Sequence, residues 1–356
     1  AMLSKQFSPS VYSIFLRTAA MTWLFASTGP PAFAQDTTDS SQQCMLELLN
    51  SGQDDLTLGE IRAQCRDAGK TAGTAQEESD PQNDSYTDSA RRRMAADREA
   101  AAKPFSILAH KPNYALAAAY NAEGWDSTFN RQFSKDDSYE NQDVEAQFQI
   151  SLKVPLALDL FGDRMDIYGA YTNRSFWQMY NRDYSEPFRE TNHEPEVWLQ
   201  FRNDWQVFGL TNVVNTIGFV HQSNGSAGER SRSWNRAYAN LIFGKDNFVL
   251  SFKPWLWLTG NKSESDNPDI TDYMGHGEFR AAWQRNGHVY SMMLRNQLES
   301  GFDKGALELS WSIPLFRYPY LKGYVQYFYG YGESLIDYDR KVNRIGIGIS
   351  VTDWIE

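Results

Sequence analysis

From Phe105 onward the chain falls into segments that alternate apolar and polar side chains, separated by turns and polar loops. The last segment is the plainest: Ile345, Ile347, Ile349 and Val351 alternate with Gly346, Gly348 and Ser350. A period of two sends successive side chains to opposite faces of a strand. Segments fall near residues 112–121, 142–154, 164–177, 193–204, 208–223, 232–243, 247–260, 272–285, 287–298, 304–314, 320–332 and 342–352. That is about twelve strands, an even number suited to a closed antiparallel barrel, which leaves no unpaired edge in lipid. Connections near 122–141, 178–192, 224–231, 261–271 and 333–341 are long and polar, whereas those near 205–207, 244–246 and 286 are tight. Outer-membrane barrels keep short turns on the periplasmic side and long loops outside, so both termini are expected in the periplasm. The expected fold is all-β: an antiparallel transmembrane barrel spanning residues 104–356.

Composition agrees once the membrane is taken as the solvent. The net charge is −11, the mean hydropathy is −0.57, and past the N-terminus no apolar run is long enough for a transmembrane helix. A membrane barrel is apolar only on alternate residues, so its average hydropathy resembles that of a soluble protein. Aromatics make up 14% of the chain, with 11 Trp and 19 Tyr, the residues that favour bilayer interfaces. The acidic balance argues against nucleic acid as a partner, since no basic stripe exists to neutralise phosphates.

Residues 1–34 read as an export signal. Lys5 and Arg17 are basic, residues 18–26 form a short apolar core, and Ala32-Phe33-Ala34 is an A-x-A cleavage site. Cys44 and Cys65 follow it, and an oxidising compartment favours a bond between them over two free thiols. Leu46, Leu48, Leu49 and Ile61 suggest a small periplasmic helical hairpin over 35–66. Residues 67–103, rich in Ala, Asp, Glu, Ser and Gln, read as a flexible linker with a short helix.

The chemistry concentrates between residues 221 and 236. His221 and Ser223 are two apart, hence on one face of a strand, and Asn235 opens the return strand opposite them. A hydroxyl, a base beside it and a group orienting the base are what nucleophilic catalysis needs. Parity puts Val213, Ile217, Phe219, His221 and Ser223 on one face, and Asn235 with Ala237, Ala239, Leu241 and Phe243, which points the triad at lipid. Ser223 would attack an ester, His221 would carry the proton, and Asn235 would fix the imidazole tautomer. The backbone N–H groups of Ser223 and Gly225 would face the oxyanion. A neutral amide avoids the cost of a carboxylate on a lipid-facing wall. His110, His193, His276 and His288 have no Ser or carboxylate partner at a catalytic spacing in sequence and are read as interface or loop residues without zinc-ligand spacing.

The run His221-Gln222-Ser223-Asn224-Gly225 with Ser231-Arg232-Ser233-Trp234-Asn235-Arg236 resembles the active-site hairpin of the bacterial outer membrane phospholipase A family. Other stretches are similar to the same family: His110 to Tyr114, Pro187 to Asn192 with Glu194-Pro195, Lys253-Pro254-Trp255, Asn267 to Thr271, and Gly330 to Tyr338. The resemblance implies a calcium-dependent enzyme that hydrolyses acyl esters of phospholipids and lysophospholipids as a homodimer in the outer membrane, with its site facing the outer leaflet. It implies calcium ligands at Ser231, at the backbone carbonyl of Ser226, and at Ser185 of the partner subunit. Ser226 stands where the family often carries Arg, so a charge near the site is lost there. Asn173 matches a Gln that stabilises the family's dimer. A non-catalytic barrel, whether porin or structural protein, and a lipid A deacylase are the alternatives. About twelve strands leave a narrow lumen, which weighs against a porin.

Overall fold

The computed structural model describes residues 88–184, 186–259, 265–296, 303–316 and 318–355. The expected signal peptide, the hairpin with Cys44 and Cys65, most of the linker, and Ser185 lie outside the described residues. The sheet has 14 strands, of which two are two-residue pieces, Leu108–Ala109 and Gln206–Val207. The long strands are β1 (Asn113–Asn121), β2 (Val144–Asp159), β3 (Met165–Trp177), β4 (Phe188–Arg202), β5 (Leu210–Ser223) and β6 (Ser233–Lys245). They continue as β7 (Phe248–Trp257), β8 (Gly277–Arg285), β9 (His288–Asn296), β10 (Gly305–Leu315), β11 (Tyr318–Tyr331) and β12 (Lys341–Thr352). Each pairs antiparallel with the next, and β12 pairs with β1 through register partners such as Ile345 and Tyr120. The sheet is thereby a closed twelve-stranded barrel, as the alternation predicts.

The outer wall is apolar. Ile345, Ile347, Ile349 and Val351 of β12 are exposed while Arg344, Gly346 and Ser350 turn inward. On β2, Ile150, Leu152, Val154 and Leu156 are exposed, and Tyr290, Met292 and Leu294 repeat the pattern on β9. An apolar belt of this extent is untenable in water but suits hydrocarbon. One expectation fails: Val213 is buried, not outward with Ile217, because the β5–β6 register shifts between Asn212 and Val214. A bulge adds a residue and reverses the parity below it.

The lumen is filled with paired charges. Arg189 Nε and Nη2 donate to Glu145 at 2.9 and 2.8 Å, its other Nη donates to Asp337, and its guanidinium lies 3.7 Å from the centre of the Trp125 ring. Arg344 bonds Glu333 and, at 2.6 Å, Gln326. A lumen cavity lined by Lys111, Glu194, Arg236 and Glu308 measures about 120 Å³, far less than a conducting channel. Buried charges persist only when paired, and these pairs link strands and loops across the lumen.

Both ends are covered. At the end with tight turns, helix α1 (Ser89–Ala101) begins at Asp88, whose carboxylate accepts from Ala90 N. Ser89 N donates to Asp246 O at 2.6 Å, tying the helix start to the β6–β7 turn, and Asp97 accepts from Lys153 Nζ at 2.6 Å. The last part of the segment expected to be a linker is thus a helix anchored to the barrel. At the other end, residues 332–340 fold inward: Leu335 N donates to Asn192 Oδ1 at 3.0 Å and Ile336 N to Glu190 Oε1 at 3.2 Å. Three boundaries differ from expectation by five residues, the first being the end of β2 at Asp159 rather than near 154. β4 starts at Phe188, because its polar first turn is held by these loop bonds, and β8 starts only at Gly277. Residues expected to open β8 form helix α2 (Ile270–Met274), whose Ile270 and Met274 are buried in the core.

Candidate active site

The register of β5 with β6 sets the site. His221 is the cross-strand partner of Asn235, and Ser223 of Ser233. His221 and Asn235 both face outward, and His221 Nδ1 lies 2.8 Å from Asn235 Oδ1. An amide oxygen only accepts, so Nδ1 carries the proton and Nε2 holds the free lone pair. Ser223 sits one outward step further along β5. Its hydroxyl makes no hydrogen bond to the imidazole.

The turn after Ser223 is built on Asn224, a residue to which strand parity assigns no role. Asn224 is buried; its Oδ1 accepts from Ser226 N at 3.2 Å and Arg232 N at 3.0 Å, and its Nδ2 donates to Arg230 O at 2.7 Å. A fourth bond runs to Glu190 Oε2 at 3.4 Å, joining the turn to the covered mouth of the barrel. Gly225 then adopts φ +65°, a left-handed conformation that strains any residue with a Cβ. From inside, Trp234 Nε1 and Arg236 Nη2 donate to Gln222 Oε1 at 2.8 and 3.1 Å. Four of the five positions of the H-x-S-N-G run, all but Ser223, are therefore held by side-chain bonds or by backbone conformation.

Ser231 Oγ donates to Asp266 Oδ2 at 2.6 Å, and Ser233 N donates to Asn267 Oδ1 at 3.0 Å. The loop leading to α2 thus brings a carboxylate beside Ser231, a neighbour that the Asn-Pro-Asp run hints at without locating. Tyr338 donates its hydroxyl to Asp269; burial, then that carboxylate, hold the phenol well above its ordinary pKa, so it stays a donor. Asn173 faces outward on β3, with Nδ2 3.4 Å from His193 Nδ1, and Ser226 sits in the turn below Asn224. Ser185 is outside the described residues.

Two histidines depart from the sequence reading. His110 does have a carboxylate partner, Glu196 Oε1 at 2.6 Å, but inside the lumen and stacked 4.9 Å from Trp198, away from the triad. Burial pushes its imidazole pKa down. His193 is a direct neighbour of the site, the cross-strand partner of Ser223. Pairing between strands separated by a loop is invisible to local spacing.

An apolar-walled barrel with a polar hydroxyl–imidazole–amide group on its outer face defines a membrane enzyme acting on lipid esters. The phospholipase A1 family model matches residues 90–351. Phospholipase A1 of Klebsiella pneumoniae is 37% identical over 252 residues, covering 70% of this chain and 84% of that protein. The Escherichia coli K12 phospholipase A1 is 38% identical over 209 residues, covering 59% and 70% respectively. Among solved structures, Escherichia coli outer membrane phospholipase A superposes with a TM-score of 0.65 at 32% identity, covering 70% of this chain and 100% of that one. The Salmonella typhi outer membrane phospholipase dimer with bound calcium gives 0.65 and 32%, covering 70% and 94%. The chain belongs to the phospholipase A1 family, and it is an outer-membrane carboxylic ester hydrolase.

Proposed function

We propose that Ser223 is the nucleophile, His221 the general base and Asn235 the orienting residue of this phospholipase. The observation that carries it is the 2.8 Å bond between His221 Nδ1 and Asn235 Oδ1 on the outward face. With the proton held on Nδ1, His221 Nε2 accepts the proton of Ser223 as its oxygen attacks the acyl carbonyl. The same proton passes to the departing lysophospholipid oxygen, leaving an acyl-serine that water cleaves by the reverse sequence. Backbone N–H groups of Ser223 and Gly225 receive the oxyanion. Because the site opens sideways into the acyl region, substrate need not leave the membrane.

Calcium is the proposed cofactor, shared between two subunits; the Salmonella typhi relative is a dimer with bound calcium. The residues fit it. Ser231, the Ser226 carbonyl and Ser185 of the partner subunit are hard oxygens, and the 2.6 Å Ser231–Asp266 contact adds a carboxylate that neutral ligands lack. A cation there would place positive charge near the oxyanion. Asn173, on the outward face of β3, is proposed to bond across the homodimer. We further propose that the long-loop end faces outward, with the site level with the outer leaflet, the termini periplasmic, and the first 34 residues removed as a signal.

Refolded protein in mixed detergent–phospholipid micelles tests this. Hydrolysis should require calcium and stop with a chelator, and a folded Ser223→Ala protein should be inactive. Equal rates with and without chelator would remove calcium from the account.

A further inference from the structure

The outward faces of four adjacent strands carry one continuous row: Asn173 pairs with His193, His193 with Ser223, and Ser223 with Ser233. Ser223 therefore has an imidazole on each side, His221 along its own strand and His193 across on β4. The triad uses only the first.

The surroundings of His193 select its tautomer. Tyr171 Oη lies 2.6 Å from Nδ1, and Asn173 Nδ2 lies 3.4 Å from the same atom. An amide NH₂ can only donate, so Nδ1 is the acceptor for both neighbours, and a neutral imidazole then carries its proton on Nε2. That edge of the ring lies against the turn: a Cβ placed on Gly225 would be 3.6 Å from His193 Cδ2 and 3.7 Å from Nε2. Tyr171 is also parallel to the ring, with 6.2 Å between centres and 28° between planes, which restrains its orientation. The polar edge of His193 is thus held beside Ser223 and the Gly225 backbone, on a wall that otherwise presents Val197, Ile217 and Phe219 to lipid. A half-exposed donor in an apolar setting is costly unless something accepts from it.

We propose that His193 is a catalytic residue of the ester hydrolysis, donating from Nε2–H to the oxyanion that forms when Ser223 attacks. Tyr171 and Asn173 act through it as positioning residues that keep the lone pair on Nδ1. The assignment rests on Ser223 as nucleophile. A side-chain donor supplements the backbone N–H groups, and its strength grows as charge develops on the carbonyl oxygen.

The test uses the full chain refolded in detergent, folding checked by heat-modifiable gel mobility, and two substrates: a diacyl phospholipid and a long-chain p-nitrophenyl ester, which has the ester but no phosphate. His193→Phe should lower kcat by about 10²-fold on both with KM little changed, the usual effect of deleting one oxyanion donor. His193→Gln, which offers an amide N–H in place of Nε2–H, should recover part of the loss. Tyr171→Phe should lose less than His193→Phe and alter the pH profile of kcat, which a purely structural change would not. A loss confined to the phospholipid would put His193 on the phosphate and overturn the assignment, as would an unchanged kcat in folded His193→Phe. Ser223→Ala run in parallel separates the two ideas. An inactive Ser223→Ala beside a fully active His193→Phe sinks only the role of His193, whereas an active, folded Ser223→Ala sinks the triad itself.

Discussion

Replacing Asn235 by Ala removes the acceptor 2.8 Å from His221 Nδ1 and touches little else, because Asn235 is exposed and its backbone carbonyl still accepts from Leu258 N. In the ground state a bond between neutral groups contributes about 1 kcal/mol net. In the transition state the imidazole is an imidazolium, and a bond to a charged donor contributes about 2–3 kcal/mol. Only the difference, about 1–2 kcal/mol, appears in the rate, which corresponds to about 5- to 30-fold. Removing His221 deletes the proton carrier itself and should cost on the order of 10²–10⁴-fold. Initial rates on mixed micelles at saturating calcium, with folding checked by gel mobility, would compare the two. The partition of roles fails if folded Asn235→Ala is as slow as His221→Ala, or as fast as the parent.

Further outcomes follow from other contacts. Asn224→Ala abolishes the side-chain bonds that shape the turn after Ser223 and should slow hydrolysis on the order of 10²-fold by misplacing the oxyanion N–H groups, with KM measured alongside to exclude a binding defect. Asp266→Asn and Ser231→Ala should each raise the calcium concentration needed for half-maximal rate, by titration in detergent, while leaving the rate at saturation closer to parent. Glu145→Gln leaves Arg189 buried with one carboxylate lost and should destabilise the barrel by about 3 kcal/mol, read as a lower denaturant midpoint by tryptophan fluorescence. Mixing inactive Ser223→Ala with Ser185→Ala subunits should restore one working site per heterodimer if the ion is shared, since each subunit supplies what the other lacks. Non-reducing mass mapping should find Cys44 bonded to Cys65.

The strands were legible because hydrocarbon outside and charge pairs inside enforce a strict period of two, as in Ile345 to Val351. Where the period breaks, so did the reading. The bulge at Val213 depends on the pairing of β5 with β6, and Ile270 to Met274 form a helix because they fill the barrel mouth rather than line its wall. The proposed triad is legible because His221, Ser223 and Asn235 sit on consecutive strands of one hairpin. His193 and Asp266 are not, since they lie 30 and 35 residues from Ser223 and Ser231 and meet them only through strand register and loop folding. Helix α1 was missed as a fixed element because its anchors, Asp246, Asp166 and Lys153, lie far along the chain.

The central claim, that an outward-facing Ser223 is the nucleophile, is tested most directly by covalent labelling with a long-chain sulfonyl fluoride. Inactivation should run in step with the addition of one sulfonyl group per active site, and peptide mapping should place it on Ser223. Labelling should vanish in folded Ser223→Ala and slow sharply in His221→Ala. Stoichiometric inactivation with the label on another residue, or full label uptake by Ser223→Ala, would contradict the account.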